Sequence, residues 1–489
     1  KNKILFARDR AGEKPFFYYF SDKKFIFSSE LKSIINTFTD LSILNKKSAD
    51  CYFGMGFVPG ELCIINKVKK LQAGRAMELN CKTMQLNEWK YWNPPFYVKS
   101  INQDNNLKNK TKELEKLLSN SVKKQLVSDV PIGVLLSGGI DSSIITSLAS
   151  KYKKNIKTFT VTFPGEQKYD ESEYARLIAN EFNTDHIELE ANSINPRDLL
   201  PQLAKQYDEP IIDSSMIPTF LITKLVRNHC TVVLGGDGGD ELFGGYNHYS
   251  RLIWSKAMTK HIPSPVKNLL SKAADKYLPM GIKGKIWLQS LAYNLENELP
   301  LIASYFDKSN RKKLIDKTDW PYVSETIREK RVFKTNNLLE RATRTDFENY
   351  LVEDILVKTD RASMLNSLEL RAPFLDHNII EFAFKLDSSL KTNKKERKII
   401  LKELCKNLLP SKFELNRKQG FAIPLNQWLK NNSWLNFCKE ILLDKDNHLY
   451  NHKYIETLFN NQKKGAQLGE RIFALTMFRL WMIEYNIQI

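Results

Sequence analysis

The chain has 489 residues, 42% hydrophobic and 27% charged, a globular composition with length for two or three domains. A formal net charge of +18 invites nucleic acid as a partner, but the lysines are scattered and aromatic residues do not interleave with them as a stacking surface requires. A basic surface facing anionic small molecules is expected instead. No apolar run is long enough to span a bilayer and no charged-then-apolar leader opens the chain, so no membrane partner is expected. Six cysteines without a CxxC pair read as free thiols in a reducing cytoplasm, not as a zinc site.

Residues 1–98 read as a β-rich domain. "KILFARD", "PFFYYF" and "KFIFSSE" are short apolar or alternating runs separated by turn residues, the pattern of antiparallel strands. "GFVPGE" and "LQAGRA" supply turns, and Pro94–Pro95 close the block. Residues 99–110, "KSINQDNNLKNK", are polar without periodicity and read as a linker. A second domain is expected over 111–489. Its opening helical stripe, Leu114, Leu117, Leu118, Val122 and Leu126, leads into the strand "VPIGVLL", a glycine turn and the helix "SSIITSLAS". "KTFTVTF", "ESEYARLIANEF", "HIELEA", "SMIPTFLITKLVRN" and "TVVLGGD" continue the alternation, which predicts a doubly wound parallel sheet. Residues 251–489 are mostly helical in pattern, most clearly "VEDILVKTDRASMLNSLEL" and "KIILKELCKNLL". The opening "KNKILFARD" reads as a strand already under way, so a fragment or processed chain is expected.

Chemistry gathers in a few stretches. In "LLSGGIDSSI", residues Ser137, Gly138, Gly139, Asp141 and Ser142 form either a tight strand-to-helix turn or a cradle where unpaired helix amides face phosphate. The spelling excludes a Walker loop, because Gly139 and Ile140 stand where Lys and Ser/Thr are required; "GDGGDE" lacks the third glycine of a dinucleotide fingerprint. In "TVVLGGDGGDELFGGYNHY", Asp237, Asp240 and Glu241 either cap the next helix or meet a positive partner, of which Mg²⁺ on nucleotide phosphates is the economical one. Lys418 in "NRKQGFAIP" is either a surface lysine or a cation for a transferring phosphoryl group. In "KTDRASMLNSLELRAPFLDH", Asp360, Arg361, Glu369, Arg371 and Asp376 read as an ion-pair network that positions the site.

Ser-Gly-Gly-x-Asp-Ser after "GVLL" resembles the pyrophosphate loop of N-type ATP pyrophosphatases. With "ARDRAGEKPFFYY", "FSSELKSI", "FTVTFPGEQKYDESEYA", "DEPIIDSSMIP", "GGDGGDELFGGY", "LVKTDRASMLNSLELRAPFLDH" and "KQGFAIPLNQWL" in this order, nearly the whole chain resembles the glutamine-hydrolysing asparagine synthetase family. The resemblance implies an α/β protein of two parts joined by an ammonia channel. Residues 1–98 would be the C-terminal remnant of an N-terminal-nucleophile (type 2 glutamine amidotransferase) domain, and 111–489 an ATP pyrophosphatase domain with a helical C-terminal part. The family's glutaminase nucleophile is a cysteine at the mature N-terminus, and the internal Cys51, Cys63 and Cys81 do not take that place.

The resemblance further implies that Leu135 and Val161 line the nucleotide pocket and that Gly235 and Gly236 contact it through backbone. Ser137, Gly138, Gly139, Asp141 and Ser142 would hold the ATP phosphates, Asp141 and Asp240 would carry Mg²⁺, and Lys418 would neutralise charge as pyrophosphate leaves. Asp237 stands where the best-known bacterial members have the glutamate that supports the acyl-adenylate. The implied reaction is ATP-dependent amidation of a carboxylate, aspartate to asparagine with AMP and pyrophosphate released and nitrogen from glutamine or ammonia. The implied partners are these small molecules, with a homodimer left open. The shorter acid leaves a rival of the same chemistry acting on another carboxylate, such as a sugar uronate in surface-polysaccharide biosynthesis. A non-catalytic nucleotide-sensing or assembly protein is the second rival.

Overall fold

The computed structural model describes residues 2–37, 42–97, 105–162, 170–190, 195–278, 281–282, 284–300, 305–417 and 423–489. Six short strands, β1 (Lys3–Ala7), β2 (Phe17–Ser21), β3 (Lys24–Ser28), β4 (Val68–Lys70), β5 (Arg75–Asn80) and β6 (Gln85–Lys90), make two antiparallel sheets of order β1-β5-β6 and β3-β2-β4. Alternation along these strands sends Phe6, Tyr18, Met77 and Leu79 into one small core with Leu71.

Two helices that the strand-rich reading did not anticipate interrupt this region, α1 (Leu31–Thr37) and α2 (Lys46–Met55). Asn45 starts α2 by accepting from the Lys47 and Ser48 amides. Most of α2 is buried, and what buries it is the helical part of the chain beyond residue 300. Tyr52 Oη donates to the Ala474 carbonyl at 2.8 Å, and Arg311 Nε donates to Asp50 at 2.8 Å with both side chains fully buried. One apolar core holds Leu31, Tyr52 and Phe53 together with Leu203, Phe306, Phe478 and Trp481.

Helix α3 (Leu107–Gln125) begins inside the expected linker, because Asn106 caps it and the polar residues 107–110 already belong to its first turn; residues 99–104 of that stretch lie outside the described residues. Beyond it the alternation is as expected: β7 (Ile132–Leu135), α4 (Ile140–Tyr152), β8 (Lys157–Thr162), α5 (Ser172–Glu181), β9 (Asp185–Glu190), α6 (Pro196–Gln206), α7 (Met216–Val226), β10 (Val232–Leu234) and α8 (Gly239–Phe243). Helices α9 (Asn247–Thr259), α10 (Ser264–Tyr277) and α11 (Lys285–Ser290) follow. The sheet is parallel, five-stranded and ordered β11-β10-β7-β8-β9, where β11 is Glu369–Arg371, a three-residue strand too short to show periodicity. The chain winds outward from β7 through β8 to β9, then returns to β10 on the other side of β7. That reversal opens a crevice at the carboxyl ends of β7 and β10, the place where such sheets take ligands.

The helix expected over 352–370 is the end of a longer rod, residues 338–365, in which Asp346–Ile355 is wound as a π-helix; it stops at Leu365, and Glu369 and Leu370, read as helical, belong to β11 because they pair with β10. The expected network over 358–377 is instead several separate contacts. Asp360 pairs with Lys14 at 2.5 Å, and Arg361 pairs with Asp208 at 3.2 Å while donating to the Ser29 carbonyl, which ties this rod to the N-terminal region. Arg371 pairs with Glu369 and donates to the Gln125 and Val127 carbonyls, and Asp376 caps the helix His377–Lys385. All six cysteines are free, and among the described residues no helix is long and apolar enough to cross a membrane.

Candidate active site

After β7 the chain turns through Ser137 and Gly138 and enters α4 with Gly139 at the cap position and no side chain closing the cap. The first amides of α4 are therefore left for an anion. Gly138 has φ +70, and a Cβ there would lie 2.6 Å from the Tyr174 Cβ, so no other residue fits the turn. Ser142 Oγ receives the Ser137 amide at 3.2 Å and lies 3.1 Å from Ser137 Oγ, which holds both hydroxyls on the loop.

The loop after β10 packs directly on this one. Asp141 comes so close to Gly236 and Gly239 that a Cβ at either would fall 2.9 Å or less from its side chain. The sequence-selected residues Leu135, Ser137, Gly139, Asp141, Ser142, Val161, Gly235, Gly236, Asp237 and Asp240 all line one cavity of about 340 Å³, within the range of small-molecule sites. Gly138 shapes the same loop from behind. Lys418 lies outside the described residues, and its neighbour Arg417 lines the cavity. One end is apolar, with Leu135, Phe159, Val161, Ile222 and Leu370; the other is strongly charged.

At the charged end the structure adds groups that the sequence reading passed over. Lys398 sends its ammonium between the two loops, pairing with Asp240 at 2.8 Å and also with Asp141. Burial works against its charge, but the two carboxylates outweigh burial and hold its pKa above the ordinary lysine value. Lys358, from the first turn of the helix Leu356–Leu365, donates to Asp213 at 3.0 Å and to Ser215 Oγ at 2.9 Å. Arg397, Lys402 and Arg417 complete a row of cations, Arg417 stacking on the Tyr174 ring 3.6 Å from its centroid. Lys398 sits in the run "KKERK" and Lys358 two residues before Asp360, with no glycine turn or motif around either. Only the folded chain distinguishes them.

Burial raises the pKa of Asp237, and Asp141 and Asp240 push it the same way against the opposing charge of Lys358. Glu171, opposite, is raised to about 7 by burial in spite of Arg417. Asp141 and Asp240 are close enough to share one cation, and carboxylate oxygens suit a hard ion, so this pair fits Mg²⁺. Among the described residues no group of three or more His, Cys, Asp or Glu could hold a metal, so phosphate oxygens would have to complete such a shell.

A switch-point crevice with an anion loop on one side, an acid-bearing glycine loop on the other and cations lining the space defines an α/β nucleotide-binding enzyme. The comparisons carry this further. Residues 113–483 match the family model described as asparagine synthase, and residues 1–92 match that of a glutamine amidotransferase domain. The chain is 30% identical to the glutamine-hydrolyzing asparagine synthetase 1 of Bacillus subtilis (strain 168), over 97% of its own length and 74% of that protein's. It is 27% identical to a putative asparagine synthetase of Mycobacterium bovis over 98% and 74% of the two chains, and 33% identical to one of Methanocaldococcus jannaschii over 76% and 72%. The chain belongs to the asparagine synthase family.

Proposed function

We propose that this protein activates a carboxylate as its acyl-adenylate and transfers ammonia to it, with aspartate as the acid and asparagine as the product. Membership in the family makes it a glutamine-hydrolysing ligase that uses ATP. We assign the glutaminase-type part to residues 1–98 and the synthase part to 111–489. The observation that carries the finer reading is the pairing of the two loops across one cavity, with Asp237 and Asp240 facing the phosphate cradle and Lys398 joining Asp141 to Asp240.

In the first step a carboxylate oxygen of the acid attacks the α-phosphorus of ATP, and the bond from that phosphorus to the α–β bridging oxygen breaks. Two anions must meet for this, and the cations of the cavity offset their repulsion. The open amides of α4 with Ser137 and Ser142 hold the polyphosphate, and Lys398 and Arg397 line the same cavity to meet the charge that develops on pyrophosphate; the family resemblance assigns Lys418 to the same task. Mg²⁺ held by Asp141 and Asp240 would add neutralising charge at the leaving group. Asp237, beside Lys358, is the group placed to support formation of the adenylate. In the second step ammonia attacks the acyl carbon, AMP leaves with the carbonyl–phosphate oxygen bond broken, and the nitrogen gives up one proton to solvent.

The test is carboxylate-dependent exchange of labelled pyrophosphate into ATP. Exchange driven by aspartate supports the reading, exchange driven by a uronate and not by aspartate replaces the acid while keeping the chemistry, and no exchange with any acid removes the adenylate.

A further inference from the structure

Helices α9, α10 and α11 carry a surface that this chemistry leaves unused. In α10 the apolar residues Val266, Leu269, Leu270, Ala273 and Tyr277 recur at helical spacing on one stripe, but the stripe faces outward: Leu269 is 68% exposed and Tyr277 70%, while only Ala274 of the helix is buried. Ser271 Oγ, from the opposite side, donates to the Gln289 carbonyl and holds α10 on the segment ending α11. Trp287 of α11 stands 6.4 Å, ring to ring, from Trp254 of α9, and both rings and Met258 are exposed. Single exposed apolar residues are ordinary, whereas an outward apolar stripe along one helix, with an exposed tryptophan pair on α9 and α11, marks a binding surface.

The charge around this surface selects its occupant. From Trp254 to Ser290 the sequence has seven lysines and one acid, Asp275. Lys256 and Lys285 pair with Glu296 and Asp307, but among the described residues no ion pair engages Lys260, Lys267 or Lys272, and Lys276 lies over the Tyr277 ring. A second copy would bring lysine against lysine, in a chain whose net charge is already +18. An anionic bilayer complements both features, taking the apolar stripe below its headgroups and the lysines at their level, with tryptophan and tyrosine at the boundary.

We propose that the α9–α11 face docks the protein peripherally on anionic lipid membranes, with α10 lying in the plane of the bilayer. The test is co-sedimentation of the full chain with vesicles of phosphatidylcholine alone and with about 30 mol% phosphatidylglycerol. Binding is expected to the anionic vesicles, to weaken with salt, and to drop at least about tenfold in a Leu269→Glu/Leu270→Glu variant that still binds ATP. Lys463→Gln/Lys464→Gln, which removes the same net charge elsewhere on the surface, is expected to leave binding nearly intact. Brominated lipid should quench tryptophan fluorescence, and this quenching should vanish in Trp254→Phe/Trp287→Phe. Failure to prefer anionic vesicles, or equal loss in the leucine and lysine variants, overturns the proposal. So does a leucine variant that turns a lipid-free dimer into a monomer, which would make the face a self-interface.

Discussion

Lys398 is the most exposing place to test this site, because it holds two acids together before any nucleotide arrives. Lys398→Met keeps the length of the side chain and removes the charge. Breaking a fully buried pair by removing one partner costs about 3–5 kcal/mol, since the remaining charge is left without compensation. Here the Asp141 and Asp240 side chains are 22% and 25% exposed to the cavity, so water offsets part of that cost and a loss of about 2–3 kcal/mol is expected. The assay is urea unfolding followed by fluorescence, without nucleotide, in chelator and then in Mg²⁺. In chelator the variant should unfold at lower urea than the parent. In Mg²⁺ it should recover more than the parent does, because the two carboxylates no longer have an ammonium to share and a divalent ion takes that position, stabilising the folded state by mass action. Equal stability in chelator, or an equal response to Mg²⁺ in both proteins, would refute the argument that Lys398 occupies the cation position between the loops.

Asp237→Asn should lower carboxylate-dependent pyrophosphate exchange by about 10²–10³-fold while ATP still binds, as measured by exchange and by equilibrium binding. Gly138→Ala places a Cβ against Tyr174 at a positive φ, so it should destabilise the fold by about 1–3 kcal/mol and weaken ATP binding in calorimetry. Glu470 is raised to about 7, chiefly by burial, with Ser214 donating to it at 2.9 Å. Because its folded pKa lies above its unfolded value, its contribution to stability is complete below about pH 4.5 and is lost as pH rises toward 7, a change of up to about 3 kcal/mol. Glu470→Gln should flatten that part of the stability–pH curve, measured by urea unfolding between pH 4.5 and 8.

The parallel sheet was legible because each strand and helix from β7 to β10 carries its own period and its own turn, and the anion loop because its glycines and serines are contiguous. β11 was not, since three residues between two turns show no alternation and the strand exists only by pairing with Val232–Leu234. Nor was the π-helical winding of Asp346–Ile355, whose apolar spacing reads the same as an ordinary helix. Among site residues, Asp141 and Asp240 are marked by the glycines around them. Lys398 and Lys358 carry no such local mark: each meets its carboxylate partner only where its own segment reaches a loop more than a hundred residues away in the chain. The same limit applies to α2, whose aromatic residues suit a strand-rich region by composition and find their partners at Phe478 and Ala474.

That last arrangement sets what can be exchanged or moved in this molecule. Because α2 is embedded among the closing helices, a cut in the connecting segment between 98 and 111 would not release two self-sufficient modules; each piece would keep half of a shared interior and expose aromatic surface. Recombination with a foreign amidotransferase part would have to carry α1, α2 and their helical seat together. For the same reason, ion pairs such as Asp50 with Arg311 and Lys14 with Asp360 couple the packing of one part directly to that of the other.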